Sequence, residues 1–248
     1  MTQPLLSIIT ICYNEKQIER TCKSIVNQTW QNFEWIVVDG GSTDGTLDIL
    51  EKYKDRINVL ISEPDKGIYN AQNKGIKLAQ GTYLNFMNGG DAFFNNTVLE
   101  KVFKNQEQTA DVLYGNCCIV DGNRRCNCAY PHPLDITYWL NYTLNHQSAF
   151  FKRDLFNKYG LYDENYKIAA DKEKFVCLFT AGCSFQYLPL LIASYDLTGL
   201  SAKNQVKSLE ECRKINKEYL SHSVQYNYTL FGHFHFSKKV KKKSPAKQ

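Results

Sequence analysis

Short apolar segments alternate with segments of helical spacing through the first third of the chain. The apolar segments are rich in β-branched residues and predict buried strands at Leu6–Cys12, Phe33–Val38, Val59–Ser62 and Tyr83–Met87. Strands that alternate with helices form βαβ units, which place the strands side by side in a mainly parallel sheet. The chain is therefore predicted to be an α/β protein whose central, mainly parallel mixed sheet is flanked by helices.

The second half of the chain is less regular. Its patterns predict a hairpin over Val112–Tyr130, separate strands at Ser184–Tyr187 and Leu190–Tyr195, and a polar helix over Lys203–Tyr219. We find no internal repeat and no clear linker in the sequence. Residues 1–220 are therefore predicted to form one domain, followed by an aromatic and lysine-rich tail over residues 221–248.

Composition limits the class of protein. Hydrophobic residues make up 43% and aromatic residues 13% of the 248 residues, which is ample for a large core and argues against disorder. No segment approaches the roughly 20 apolar residues of a membrane span. The amino-terminal segment lacks the charged region and the cleavage site of a secretory signal. The sequence therefore predicts a cytoplasmic protein.

The net charge of +5 is concentrated in the tail. Six lysines stand in the last eleven residues, so the rest of the chain is close to neutral and offers no basic face for nucleic acid. These lysines follow the aromatic segment Tyr226–Phe236, an arrangement that favours peripheral contact with an anionic membrane surface. A solvated, disordered tail is the alternative.

Four of the nine cysteines form a cluster, at Cys117, Cys118, Cys126 and Cys128. Zinc is one interpretation, although the spacing does not match the usual pairs of zinc-binding cysteines. The cluster also flanks the turn-forming segment 121–123, Asp-Gly-Asn, which favours a hairpin with the cysteines on facing strands.

The strand predicted at residues 83–87 runs into the segment Asn88-Gly89-Gly90-Asp91. Glycines allow a sharp turn and close approach to a ligand, and open α/β sheets bind ligands at the carboxyl ends of their strands. A carboxylate placed there is suited to Mg²⁺ or Mn²⁺, with substrate phosphates completing the coordination. Asp91 is therefore a candidate metal ligand, and a solvated acid in an ordinary loop is the alternative.

Two common nucleotide-binding classes are excluded by their motifs. A dinucleotide-binding dehydrogenase needs glycines directly after the first strand, where this chain has Cys12-Tyr13-Asn14-Glu15. A P-loop nucleotide hydrolase needs GxxxxGK[ST], which does not occur.

Taken together, the segments SIITICYNE, WIVVDGGSTDGT, EPDKGIYNAQNKGI, GTYLNFMNGGD and NHQSAFFKRDLF, followed by GLYDENYKIAADKEKF, resemble the inverting family 2 glycosyltransferases. The resemblance implies the GT-A fold, with a nucleotide-sugar-binding half over residues 1–91 and an acceptor-binding half over residues 92–220. It implies transfer of a sugar from a nucleotide-diphosphate donor, expected to be a UDP-sugar, to a glycan or lipid-linked saccharide acceptor. A divalent metal, Mn²⁺ or Mg²⁺, is the expected cofactor, and bacterial surface-polysaccharide synthesis is the expected setting.

The resemblance also implies roles for particular residues. Asp39 would accept the imino hydrogen of the base, Asp91 would bind the metal, and Asp171 would be the catalytic base. His146 would contact the acceptor, the diphosphate or the metal. The nucleotide and donor sugar would be held by Thr10, Tyr13, Glu15, Asp65, Lys66, Asn73, Lys74, Asn88 and Gly90.

Taken alone, two of these residues have simpler interpretations. Asp171 could be the N-cap of the helix that it begins, and His146 could be a hydrogen-bonded structural histidine. The chain also departs from the family pattern in two places. Gly89 stands where an acid–any–acid triplet would have its first acid, and the segment KEKFVCLF lacks the arginine found in many relatives.

Two other functions fit parts of the pattern. A non-catalytic protein that binds nucleotide sugars would keep the same fold. A sugar nucleotidyltransferase would need a glycine-rich, basic loop after the first strand, which is absent from this sequence.

Overall fold

The computed structural model describes residues 3–104, 106–196 and 204–220, together with the backbone of residues 227–228 and 234–235. The strands are β1 Leu6–Cys12, β2 Phe33–Asp39, β3 Val59–Ser62, β4 Tyr83–Phe86, β5 Ala92–Phe93, β6 Val112–Asp121, β7 Arg124–Cys128, β8 Ala149–Lys152, β9 Phe185–Asp196, β10 Asn227–Tyr228 and β11 Phe234–His235. The α-helices are α1 Ile18–Val26, α2 Thr46–Glu51, α3 Ile68–Leu78, α4 Val98–Phe103, α5 Ile136–Asn141, α6 Asp154–Tyr159, α7 Ala170–Thr180 and α8 Gln205–Ile215. A 3₁₀-helix spans His146–Ser148, and a π-helical turn, Asn216–Leu220, follows α8.

One mixed sheet runs through both halves of the chain, in the order β3-β2-β1-β4-β8-β6-β9-β5, with β7 paired to β6. The first four strands are parallel, as their alternation with helices predicts. Strand β8 is antiparallel to β4 and β6, and β5 is antiparallel to β9, whereas β6 and β9 are parallel. The predicted α/β architecture is confirmed, and its parallel region lies mainly in the first half.

Strand β1 is buried along its whole length because both faces of the sheet are covered. Its alternate residues enter two different apolar clusters: Ile9 and Ile11 pack on one side, Ile8 and Cys12 on the other. A strand buried on both faces has a continuous apolar sequence rather than an alternating one. The polar residues that follow β1 are consequently held at a fixed edge of the core.

The two strands predicted at residues 184–187 and 190–195 are wrong as separate elements, because they form the single strand β9. The pairing of β6 with β9 shifts register on both sides of Asn116, which lies opposite Leu191. Pro189 stands in this irregular region. Proline has no N–H to donate to a ladder and is tolerated in sheets at bulges, so the sequence signal for a break corresponds to a bulge.

The hairpin predicted around the cysteine cluster is confirmed. Strands β6 and β7 pair antiparallel, with Cys117 opposite Cys128 and Cys126 opposite Ile119. All nine cysteines are free thiols. Within the described ranges, no group of three or more His, Cys, Asp or Glu side chains is arranged to hold a metal ion.

None of the helices in the described part of the chain is both long and apolar enough to cross a membrane. The predicted aromatic and lysine-rich tail lies outside the described residues, apart from the backbone of β10 and β11, which pair antiparallel.

Candidate active site

A cavity of about 810 Å³ opens at the carboxyl ends of β1, β2 and β4. The predicted site residues that line it are Tyr13, Glu15, Asp65, Asn88, Gly90, Asp91, His146 and Asp171. The predicted site residues that do not line it are Thr10, Asp39, Lys66, Asn73 and Lys74. The edge of the sheet therefore brings most of the predicted site together, across both halves of the chain.

Thr10, Asn73 and Lys66 lie outside the cavity lining. Thr10 is fully buried and accepts a hydrogen bond from the Trp35 Nε1–H at 3.0 Å. The Asn73 amide donates to the carbonyl of Tyr162 at 2.9 Å and accepts from its N–H at 3.0 Å. The Lys66 side chain is exposed. Thr10 and Asn73 thus hold elements against each other behind the cavity.

Asp39, at the end of β2, is buried beneath the cavity wall. Its Oδ2 accepts from the Ser62 hydroxyl at 2.7 Å and from the N–H groups of Gly41 at 3.0 Å and Ser42 at 2.9 Å. Its Oδ1 accepts from the Ser42 hydroxyl and from the Cys12 thiol. Burial opposes ionisation, but these hydrogen bonds outweigh it and lower the pKa of Asp39. The carboxylate therefore organises the loop after β2.

Asp65 lines the cavity and is held by Lys74, whose Nζ lies 2.8 Å from both Asp65 Oδ1 and Glu63 Oε1. A Cβ added at Gly40 would lie 3.0 Å from Asp65 Oδ2 and 3.2 Å from the Tyr13 ring. Tyr13 is 66% exposed. The absence of a side chain at Gly40 thus leaves a slot between an acid and an exposed aromatic ring.

The turn that carries Asp91 is fastened to α1. The Thr21 hydroxyl accepts from the Gly90 N–H at 3.0 Å and donates to the Asp91 carbonyl at 2.6 Å. Arg20 donates to the Gly90 carbonyl at 2.9 Å and to the Ser194 hydroxyl of β9 at 3.0 Å. Gly90 has φ of +90°, a conformation that favours glycine. The turn is therefore shaped by its glycine and held by two residues of α1, one of which is itself bonded to β9.

Asp91 is only 6% exposed. Its Oδ2 accepts from the Gln147 amide at 2.6 Å, and its Oδ1 accepts from the Asp196 N–H at 3.2 Å. Burial raises the pKa of Asp91 to about 6, against the hydrogen bonds from Gln147 and Asp196 and the nearby His146 and Arg20. Burial disfavours the ionised form of this carboxyl group, and a positive charge close to it would stabilise that form.

Glu15 occupies the space where an acid at position 89 would project. A Cβ on Gly89 would lie 2.9 Å from Glu15 Cγ and 3.2 Å from Cys12 Cβ. The Glu15 carboxyl carbon lies 3.6 Å from the position of a Cβ on Gly90. The departure at Gly89 is thus matched by a carboxylate that reaches the same turn from the end of β1.

These residues fit a divalent metal as part of a donor complex. Glu15 and Asp91 are carboxylates that line the cavity beside one turn. Mg²⁺ and Mn²⁺ are commonly held by one or two carboxylates, with phosphate oxygens and water completing the shell. Glu15 and Asp91 would provide the two carboxylates, and phosphate oxygens and water would provide the remaining ligands.

A chain of hydrogen bonds joins Asp171 to the end of β4. His146 Nδ1 lies 3.0 Å from Asp171 Oδ2, and His146 Nε2 lies 3.0 Å from the Asn88 amide nitrogen. The Gln72 amide donates to Asn88 Oδ1 at 3.2 Å, which fixes the orientation of the Asn88 amide. Because the Asn88 nitrogen can only donate, Nε2 accepts and the ring proton is on Nδ1, directed at Asp171.

Asp171 Oδ1 has two further donors, the Tyr69 hydroxyl at 3.2 Å and the Lys172 N–H at 2.8 Å. The single Tyr69 hydroxyl proton is shared with the Ile168 carbonyl, which is the nearer acceptor at 2.6 Å. Burial, and then the charge of Asp171, raises the pKa of Tyr69 well above its usual value, so the hydroxyl keeps its proton. The N-cap interpretation of Asp171 is wrong, because Ala169 occupies that position.

Sequence reasoning missed several residues of this site. Gln147 directly follows His146, and Lys172 directly follows Asp171, so proximity to a motif was the only signal available for them. Tyr69 and Thr21 carried no signal, since each reaches the site from a helix whose orientation the sequence does not state.

Comparison with known proteins identifies the family. The model of "Glycosyl transferase family 2" matches residues 7–166. A "PGL/p-HBAD biosynthesis glycosyltransferase" of Mycobacterium bovis (strain BCG / Pasteur 1173P2) is 32% identical over 206 residues, which is 80% of this chain and 79% of that protein.

Solved structures support the fold. The Staphylococcus aureus TarS 1-349 structure in complex with UDP superposes with a TM-score of 0.66 at 21% identity, covering 87% of this chain and 66% of that chain. The mannosyltransferase PcManGT of Pyrobaculum calidifontis, in complex with GDP-Man and Mn²⁺, gives 0.64 at 18% identity, covering 86% and 65%. The expected GT-A fold is confirmed, and the chain belongs to glycosyl transferase family 2 as a glycosyltransferase.

Proposed function

We propose that this protein transfers a sugar, with inversion, from a nucleoside-diphosphate donor to a hydroxyl of a glycan or lipid-linked saccharide. UDP-sugars are the proposed donors, and the lysine-rich tail is proposed to contact an anionic membrane surface. The observation that carries the proposal is the position of Asp91 and Asp171 on one cavity, with the exposed Tyr13 ring at its wall.

The donor is proposed to bind against β1, β2 and the loop after β3. The exposed Tyr13 ring offers an apolar face for a nucleobase. Since the Asp39 oxygens are engaged with the loop after β2, reading of the base edge falls to Asp65 and the backbone at Gly40. Binding of UDP by TarS and of GDP-Man by PcManGT supports a nucleotide-sugar donor.

Asp171 is proposed to be the base. Its carboxylate has about four lone-pair sites. Lys172 and His146 use one on each oxygen, and Tyr69 shares its proton between Oδ1 and the Ile168 carbonyl. The site that is left is on Oδ2, where an acceptor hydroxyl would donate its proton as the new C–O bond forms and the bond from the sugar to the diphosphate breaks. Inversion needs a single base, so no nucleophilic carboxylate is required.

Glu15 and Asp91 are proposed to hold the divalent metal together with the donor phosphates. A bound cation supplies charge stabilisation for the departing diphosphate. The raised pKa of Asp91 and the proximity of the two carboxylates to one turn support this assignment.

Thermal unfolding with nucleotides tests the proposed function. We expect UDP with Mn²⁺, at about 100 times its Kd, to stabilise the protein by about 2.7 kcal/mol, or to raise Tm by about 5–10 °C. CMP and GDP serve as controls for the base. Screening UDP-sugars for hydrolysis or transfer then separates an enzyme from a non-catalytic binding protein. No shift with any nucleotide would refute the proposal.

His146 is expected to act through Asp171. Loss of a hydrogen bond to a charged group costs about 1.5–3 kcal/mol, so His146→Ala should lower kcat about 10- to 100-fold and leave the Kd of UDP unchanged. In His146→Asn the amide nitrogen replaces Nδ1 and should restore part of kcat. His132→Ala, at an exposed histidine stacked on Tyr187, is the control. Equal loss in the Ala and Asn variants would contradict this role.

A further inference from the structure

Lys172 is a buried cation on the wall of the cavity. It is 3% exposed, it lines the cavity, and it directly follows Asp171 on α7. In the described part of the chain its ammonium group has neither an ion pair within 4.0 Å nor a hydrogen bond. Burial lowers the pKa of Lys172, and the nearby Cys212 and Asp171 only partly offset this.

Lys174, two residues further along α7, is a buried lysine whose ammonium group has partners within the protein. It is 2% exposed, and its Nζ donates to the carbonyls of Gly160 at 2.9 Å and Tyr159 at 3.3 Å. It also lies 4.0 Å from Glu173 Oε2. Lys172 lacks such partners among the described residues, and it lines the cavity rather than being closed off inside the core. A largely buried ammonium group is stabilised by an opposite charge, and here that charge can come only from a molecule in the cavity.

The position of Lys172 indicates which molecule brings that group. Lys172 lies near Cys212 of α8, which lines the cavity together with Ser208. The proposed donor subsite, at Tyr13 and Asp65, is built from the loops after β1 and β3 instead. Lys172 thus lies on the α7–α8 side, next to the base, where the molecule that supplies the hydroxyl must sit.

We propose that Lys172 binds an oxyanion of the acceptor, a phosphate or a carboxylate close to the hydroxyl that receives the sugar. This inference rests on the proposed function, because it takes Asp171 as the base that marks the acceptor side. It restricts the acceptor class to anionic saccharides, such as sugar phosphates, polyol phosphates or uronic acids. Neutral saccharides of the same size would leave the ammonium group unpaired.

The test uses three small probes: methyl glucuronide, glycerol phosphate and the neutral methyl glucoside. Their binding to the full chain is measured by ligand-observed NMR with and without UDP and Mn²⁺. We expect wild type to bind at least one charged probe more tightly than methyl glucoside. Lys172→Met should weaken binding of that probe at least tenfold, Lys172→Arg should keep it, and the Kd of UDP should not change. The two charged probes separate phosphate from carboxylate recognition.

Lys101→Met, at an exposed position on α4, is the matched control and should behave as wild type. Thermal unfolding of Lys172→Met checks its fold, and Tm should rise because an unpaired buried charge is removed. A weaker Kd for UDP with unchanged probe binding would assign Lys172 to the donor and overturn the inference. Equal binding of all probes to wild type, or no binding of either charged probe, would also overturn it. Failure of the proposed function is distinguishable, because wild type would then not bind UDP.

Discussion

Asp171→Asn is expected to lower kcat by a factor of about 100 to 10,000, the usual contribution of a positioned base. The amide has nearly the shape of the carboxylate, so the bonds from Tyr69 and His146 can be kept in part, while the group can no longer accept the acceptor's proton. The Kd of UDP and the Tm should stay close to wild type. The measurement is steady-state transfer together with UDP titration.

Asp48→Asn is the matched control, since Asp48 is an exposed acid on α2, away from the cavity lining. It should leave kcat unchanged. A kcat of Asp171→Asn within a few-fold of wild type would show that another group takes the proton.

Asp91→Asn is expected to remove the dependence of UDP binding on Mn²⁺. It should also lower kcat/KM at least about 100-fold, because removing a group that stabilises the charge of the leaving diphosphate typically slows a reaction by that factor. Calorimetric titration of UDP in the presence of Mn²⁺ and of EDTA gives the metal-dependent part of the UDP binding free energy directly. Glu15→Gln should reduce the same metal-dependent part if the two carboxylates share the ion. Full Mn²⁺ dependence in Asp91→Asn would place the ion elsewhere.

The same substitution should stabilise the ligand-free protein at neutral pH. The pKa of Asp91 is raised from 3.8 to about 6. Because this carboxyl group binds its proton more tightly in the folded state, the free energy of unfolding falls as pH rises from about 3.8 to about 6. Above about pH 6 the loss stays constant. This ionisation costs the wild-type protein on the order of 3 kcal/mol of stability, and the asparagine variant avoids it. The variant also loses a hydrogen bond, which offsets about 1 kcal/mol of that gain. We therefore expect Tm of Asp91→Asn to be about 4–8 °C higher at pH 7.5, with the difference vanishing near about pH 4.5 and changing sign below it.

Asp111→Asn provides a control of opposite sign. Burial opposes ionisation of Asp111, but the hydrogen bonds from Ser184 and the charge of Lys152 together outweigh it and lower its pKa. Its contribution is present above pH 3.8 and is lost as pH falls through the folded pKa. This variant should be less stable than wild type at pH 7.5. A lower Tm for Asp91→Asn at pH 7.5 would contradict the raised pKa of Asp91.

The parts of the fold that depend on neighbouring residues were predictable from sequence. Strand β1 was marked by its continuous apolar run, and Asp91 by the glycines before it, because both signals lie within a few residues. The bulge in β9 was not predictable, since Pro189 signals a break whether the strand stops or bends. Only the pairing with β6 decides between these outcomes.

Contacts between distant segments account for what the sequence did not reveal about the site. Tyr69 reaches Asp171 across 102 residues, and Gln147 reaches Asp91 across 56. The absence of an acid at Gly89 was visible in the sequence, but its explanation required knowing that Glu15 fills the same space. Such relations depend on how helices and strands pack, which local patterns do not state.

The clamp that Thr21 and Arg20 place on the Gly90–Asp91 turn has a thermodynamic consequence. The backbone of these residues loses its conformational entropy when the chain folds, and not when a ligand binds. A ligand at this turn therefore binds to a backbone that is already ordered, so little binding free energy is lost in ordering the main chain.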